Sequence, residues 1–218
     1  MLDHVFTDAI GALRDAFEGA FLERQPFEER FQSDVLSGDL TWETSYGLPG
    51  EGLPPAVVAH ITLDWPAWSQ AAYRQWYVDE VLERLPAIEV EVVFRAQNLP
   101  ALPSAGVVAG ATPGTSPLLG ADRLERVGIT METAHGGALD DDRPAGLAGR
   151  EGLAGLAGLE GLGGLDDTAQ HAVEVTYEGL YELAEATLAD GTNSQLDEHF
   201  GILGGWIAAT LVRLADVR

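Results

Sequence analysis

The sequence predicts an α+β fold: a mostly antiparallel sheet with N-terminal, central and C-terminal helices packed on it, in one domain spanning residues 1–218. Two long stretches near the chain ends carry apolar residues at helical spacing. Between them, residues 56–97 run apolar strand, amphipathic segment, apolar strand, and residues 171–177 alternate cleanly between apolar and polar. The hydrophobic content of 46% is ample for a core.

Taken in order, Leu2, Val5, Phe6, Ala9, Ile10, Leu13, Phe17 and Phe21 recur at i, i+3 and i+4, with Asp8, Arg14, Asp15 and Glu18 elsewhere on the wheel. Asp3 suits the start of this helix, because a carboxylate favours the positive end of the helix dipole, and Pro26 marks its end. Phe27 and Phe31 continue a short segment to a turn at Ser37-Gly38-Asp39. Residues 40–46 read as a strand, and residues 47–55 as a loop leading into the next strand at 56–65, which is β-branched and stopped by Pro66.

Residues 68–85 fit a helix that lies on the sheet through Trp68, Ala71, Val78, Leu82 and Leu85, leaving Tyr73, Trp76 and Tyr77 on a second face. The competing assignment makes residues 71–78 a strand, because Tyr and Trp favour sheets. Ile88, Val90, Val92 and Phe94 alternate with Glu89, Glu91 and Arg95, which gives a strand with one wet face. Residues 98–120 carry four prolines, several glycines and almost no charge, and read as an extended loop or arm that reaches across a neighbour. Residues 126–133 are a strand candidate, and the strand at 171–177 runs on toward Leu183. Residues 184–188 fit a helical turn. The last helix starts near Ser194, paired with Asp197 as a cap, and buries Leu196, Phe200, Leu203, Ile207, Leu211 and Leu214.

Residues 140–167 form a low-complexity, glycine-rich insertion. Glycine recurs every third position from Gly146 to Gly164, with leucine after most of them. A three-residue helix would line the glycines on one face, as collagen does, but the repeat is short and lacks proline, which favours a loop.

Charge is the strongest compositional signal. Twelve basic residues, all arginine, stand against 35 acidic ones, for a net charge of −23. Such a chain repels itself in ordinary buffer, whereas at molar salt the Debye length falls to about 3 Å and the repulsion is screened. Acid-rich, lysine-free composition is typical of proteins from salt-in halophilic archaea and their viruses. Replacement of lysine by arginine in high-GC bacteria is the alternative. Direct nucleic-acid binding is not expected, because neutralising phosphates needs clustered basic residues.

No apolar run reaches the roughly 20 residues that span a bilayer, and the first residues lack the basic and apolar regions of a signal peptide, so neither a membrane span nor export by that route is expected. Without cysteine there is no disulfide, thiolate nucleophile or cysteine-bound metal. Without lysine there is no standard Walker A loop, protein-kinase site or Schiff base.

The histidines His4, His60, His135, His171 and His199 never take a zinc-binding helical spacing, and His60, within an apolar strand, reads as a satisfied core residue and not a ligand. Gly114-Thr115-Ser116-Pro117-Leu118 lacks the last glycine of a nucleophile elbow. Asp140, Asp141, Asp142, Asp166 and Asp167 suit a hard cation, against the plainer reading of solvated charge. No catalytic, cofactor-binding or metal-binding residue, no cofactor and no small-molecule partner is therefore expected.

What remains are candidate contacts between copies. Tyr73, Trp76 and Tyr77 form an aromatic patch, and Gly201, Gly205 and Ala209 a small-residue stripe that admits close approach of another element; ordinary packing inside the chain is the alternative for both. The element order over residues 1–97 resembles small neck and tail-completion proteins of tailed viruses, such as the tail terminators that form rings closing the tail. No diagnostic motif accompanies that order, and no functional residue is carried over. With the composition, the resemblance implies a non-enzymatic structural or assembly subunit of a tailed virus of halophilic archaea. Such a subunit forms a homo-oligomeric ring, contacts other virion proteins, and resides in the virion after assembly in the host cytoplasm. The alternative is a cellular halophilic enzyme or small-ligand-binding domain whose site is assembled from scattered residues.

Overall fold

The computed structural model describes residues 3–20, 28–48, 55–79, 81, 83–134, 170–189 and 194–217. In chain order the elements are α1 (Asp3–Ala20), β1 (Glu28–Ser33), β2 (Leu40–Gly47), β3 (Val57–Trp65), α2 (Ala67–Asp79), β4 (Ala87–Leu99), α3 (Ala105–Ala111), β5 (Thr115–Leu119), β6 (Asp122–Ala134), β7 (Gln170–Glu182), α4 (Glu185–Ala189) and α5 (Ser194–Ala215). The strands form one antiparallel sheet in the order β1-β2-β3-β4-β7-β6-β5, the α+β class the sequence predicts. The glycine repeat at 146–164 and the aspartates at 140–142 and 166–167 lie outside the described residues.

Strand alternation separates the two faces. Val57, Ala59, Ile61, Leu63 and Trp65 of β3, with Ile88, Val90, Val92 and Phe94 of β4, point to one inner face and are almost fully buried. The helices α1 and α5 cover that face side by side. Phe6 of α1 meets Trp65 at 5.8 Å, and Phe17 stacks on Tyr46 of β2 at 3.8 Å. On α5, Phe200 packs edge-on against Tyr181, and Trp206 against Phe94 and Tyr177. The two helices touch at Gly204, where an added Cβ would stand 2.6 Å from the Ala16 Cβ.

Four expectations are corrected. Residues 28–33 are a strand, β1, whose pairing with β2 places it at the sheet edge. Residues 98–120 are not an arm: they hold α3 and the other edge strand, β5. Ser104 caps α3 by accepting from the Val107 N–H, Val108 anchors it in the core, and Arg126 and Arg213 donate to carbonyls at its end. Pro117 is tolerated in β5 because an edge strand needs no partner for the missing N–H.

The third correction concerns the extent and orientation of α2: it is the helix expected and not the competing strand, but it stops at Asp79. It caps one end of the sheet instead of lying across it. Its buried residues are Ser69, Gln70 and Tyr73, while Ala71 is exposed and Val78 is 75% exposed. The reason is polar: Ser69 Oγ donates to the Ala87 carbonyl and accepts from the Ala87 N–H and Trp65 Nε1, and Gln70 Nε2 donates to the carbonyls of Gly38 and Trp65. Strand ends leave backbone groups that must be paired, and two side chains of α2 pair them. Fourth, His60 lies on the outer face of β3, away from the apolar side chains of that strand.

Candidate functional site

Three surfaces stand out among the described residues. The first is the outer face of the sheet. Cross-strand register sets Asp64 opposite Glu89, and Glu178 opposite both Glu91 and Glu125. With Asp122 and a single arginine, Arg123, these carboxylates line a concavity of about 640 Å³ that also exposes Leu180 and Val127. Like charges directly opposite on adjacent strands destabilise a sheet. Further along the same face the repulsion is partly offset, because Arg95 sits between Glu174 at 3.3 Å and Glu132 at 3.2 Å.

Among the described residues no group of three or more histidines, aspartates or glutamates is placed to hold a metal ion. The histidines with described side chains bond to hydroxyls instead: His60 Nδ1 lies 2.6 Å from Ser45 Oγ, His171 Nδ1 3.0 Å from Thr133 Oγ1, and His199 Nδ1 3.0 Å from Tyr181 Oη. The first pair has the spacing of a nucleophile and base, but Ser45 is only 4% exposed, which closes its hydroxyl to a substrate. Burial pushes the Tyr46 and Tyr181 phenols up to about 12 and raises those of Tyr73 and Tyr177 as well, so none supplies a phenolate near neutral pH.

The second surface is the α2 end. Tyr73 lies within the chain, edge-on to Trp65 at 5.8 Å, and Trp76 packs partly against the core. Tyr77 alone of the aromatic trio is well exposed, at 55%, and it is joined by Val78 and Val81. Sequence reasoning missed the exposed apolar residues near the start of α2: the β1–β2 turn holds Val35 and Leu36 at 93% and 98% exposure, and Phe31 on β1 is 60% exposed. Gln70 and an Asp39 carboxylate that accepts from the Ala67 N–H tie this turn to the start of α2. The available signal was an apolar pair directly before Ser37-Gly38-Asp39, where a turn has no core to offer.

The third surface is on α5. Gly205 and Ala209 are exposed, Gly201 is half-buried, and beyond the adjoining residues and backbone of α5 itself no atom lies within 4 Å of a Cβ built on Gly201 or Gly205. Ile202 and Val212, at 46% and 47% exposure, extend the stripe to i, i+3, i+7 and i+10, so that its outward face carries no charge from Ile202 to Val212. The neighbouring α3 adds exposed Val107. Close by, Arg126 donates to Ala109, Thr112 and the Thr112 hydroxyl, and Arg213 to Ala111 and the Thr210 hydroxyl. Those acceptors are neutral oxygens.

No helix among the described residues is long and apolar enough to cross a membrane. Compared with protein-family models, curated proteins and solved structures, the chain matches none.

Proposed function

We propose that the chain is a non-enzymatic assembly subunit that forms a homo-oligomeric ring, of the neck or tail-completion class in a tailed virus of halophilic archaea, acting in the virion beside other virion proteins. The observation that carries the assembly reading is the exposed, charge-free face of α5 on a chain with net charge −23. Two copies so charged approach each other most easily where charge is absent, and molar salt screens what remains. The virion assignment rests on element order over residues 1–97 and on the acid-rich, lysine-free composition.

The test is size-exclusion chromatography with light scattering in molar KCl. The wild-type chain is expected to run as a closed oligomer, and Ala209→Glu, which adds a carboxylate at an exposed helix position, as a monomer with unchanged circular dichroism. The loss should raise the midpoint concentration for assembly at least about tenfold, equivalent to about 1.4 kcal/mol. A wild-type chain that stays monomeric at every concentration in molar KCl sinks the reading.

A further inference from the structure

The two apolar surfaces lie on different elements of the molecule. The turn bearing Val35 and Leu36 belongs to the β1 edge and sits at the end of the sheet capped by α2. The charge-free face is the outward side of α5, a helix that packs on α1, β3, β4 and β5, and α3 beside it follows the opposite end of β4.

The turn is a rigid knob. The Asp34 N–H donates to the Asp39 carbonyl at 2.9 Å, the Gly38 N–H to the Asp34 carbonyl at 2.7 Å, and the Leu36 N–H to the Asp34 carboxylate at 2.8 Å. Gly38 takes φ of +79°, a left-handed conformation that glycine enters without steric cost. The backbone that carries Val35 and Leu36 is thus fixed by its own hydrogen bonds, and seating the turn on a partner costs little backbone entropy. Their exposure leaves them no part in the core.

Resting on the assembly reading above, we infer that the joint between copies is heterologous: the Val35–Leu36 turn of one copy seats on the α3–α5 flank of the next. Apolar character matches, since the knob meets Val107, Ile202 and Val212 around the small residues Gly205 and Ala209. Charge matches as well. Asp34 and Asp39 flank the knob, and Arg126 and Arg213 lie beside the flank with their hydrogen bonds running to neutral oxygens. Knob and flank are different surfaces of one chain, so a contact between them is head-to-tail and propagates around a ring when the rotation closes.

Two surface variants test this in molar KCl. Leu36→Asp spoils only the knob and Ala209→Glu only the flank; each alone is expected to fold and to assemble at least about tenfold more weakly than wild type. Mixed one to one, they are expected to give a dimer, because the intact flank of the first accepts the intact knob of the second, and growth stops there. If the wild-type chain assembles and Leu36→Asp assembles equally well, the knob assignment falls while the assembly reading stands. Two monomeric variants that fail to form a dimer when mixed overturn the heterologous joint. A monomeric wild type removes both readings.

Discussion

On β4, neighbouring residues live under opposite rules. Ile88, Val90, Val92 and Phe94 face the helix layer and are at most 2% exposed, whereas Glu89, one position along, stands in solvent opposite Asp64. The same strand therefore holds the fold together with one face and loads it with repulsion on the other. Stability of this protein is concentrated on the inner face and should be insensitive to salt there, while the outer face sets its dependence on ionic strength.

The largest expected break is on the inner face. Phe200 of α5 is fully buried, with its ring edge-on to Tyr181 at 5.0 Å. Truncation by Phe200→Ala removes apolar contacts and leaves a cavity, and should cost about 3–5 kcal/mol in urea unfolding, with the same loss at low and molar salt.

A sharper cut uses two adjacent glycines of α5. Gly204 faces α1, and a methyl there meets the Ala16 Cβ at 2.6 Å with the Leu13 carbonyl at 3.5 Å; Gly205 faces open space. Gly204→Ala should destabilise by about 1–3 kcal/mol through overpacking. Gly205→Ala should stabilise the monomer by up to about 1 kcal/mol, because alanine is the better helix former. Thermal melts of the pair, one residue apart and opposite in sign, report whether the α1–α5 crossing is as close as this geometry requires.

What was readable in the sequence follows the same division of faces. The strands β3, β4 and β7 alternate because one side is dry, and α1 and α5 show their buried stripes for the same reason. The edge strand β1, Glu28–Ser33, has Phe31 exposed among polar neighbours, so no periodicity marks it. Ser69 and Gln70 carry the inward face of α2, and a method that weighs only apolar spacing turns that helix the wrong way round. Prolines and glycines hid α3 and β5, whose order comes from distant side chains, chiefly Arg126 and Arg213. Of the candidate contact residues, Gly205, Ala209 and Tyr77 are exposed, whereas Tyr73 is buried against Trp65, a residue of strand β3 that a helical wheel of α2 does not contain.

The smallest effect belongs to the outer face. Glu178 stands opposite Glu91 on one neighbour and Glu125 on the other, so Glu178→Gln relieves two like-charge pairs with one isosteric change. At low salt the variant should be more stable than wild type by up to about 1 kcal/mol. In molar KCl, where screening acts over about 3 Å, the difference should vanish. Urea titrations at the two salt concentrations measure it. A gain that persists at molar salt would mean the carboxylate is penalised by something other than its neighbours' charge, and the view of this face as the salt-sensitive half of the sheet would fail with it.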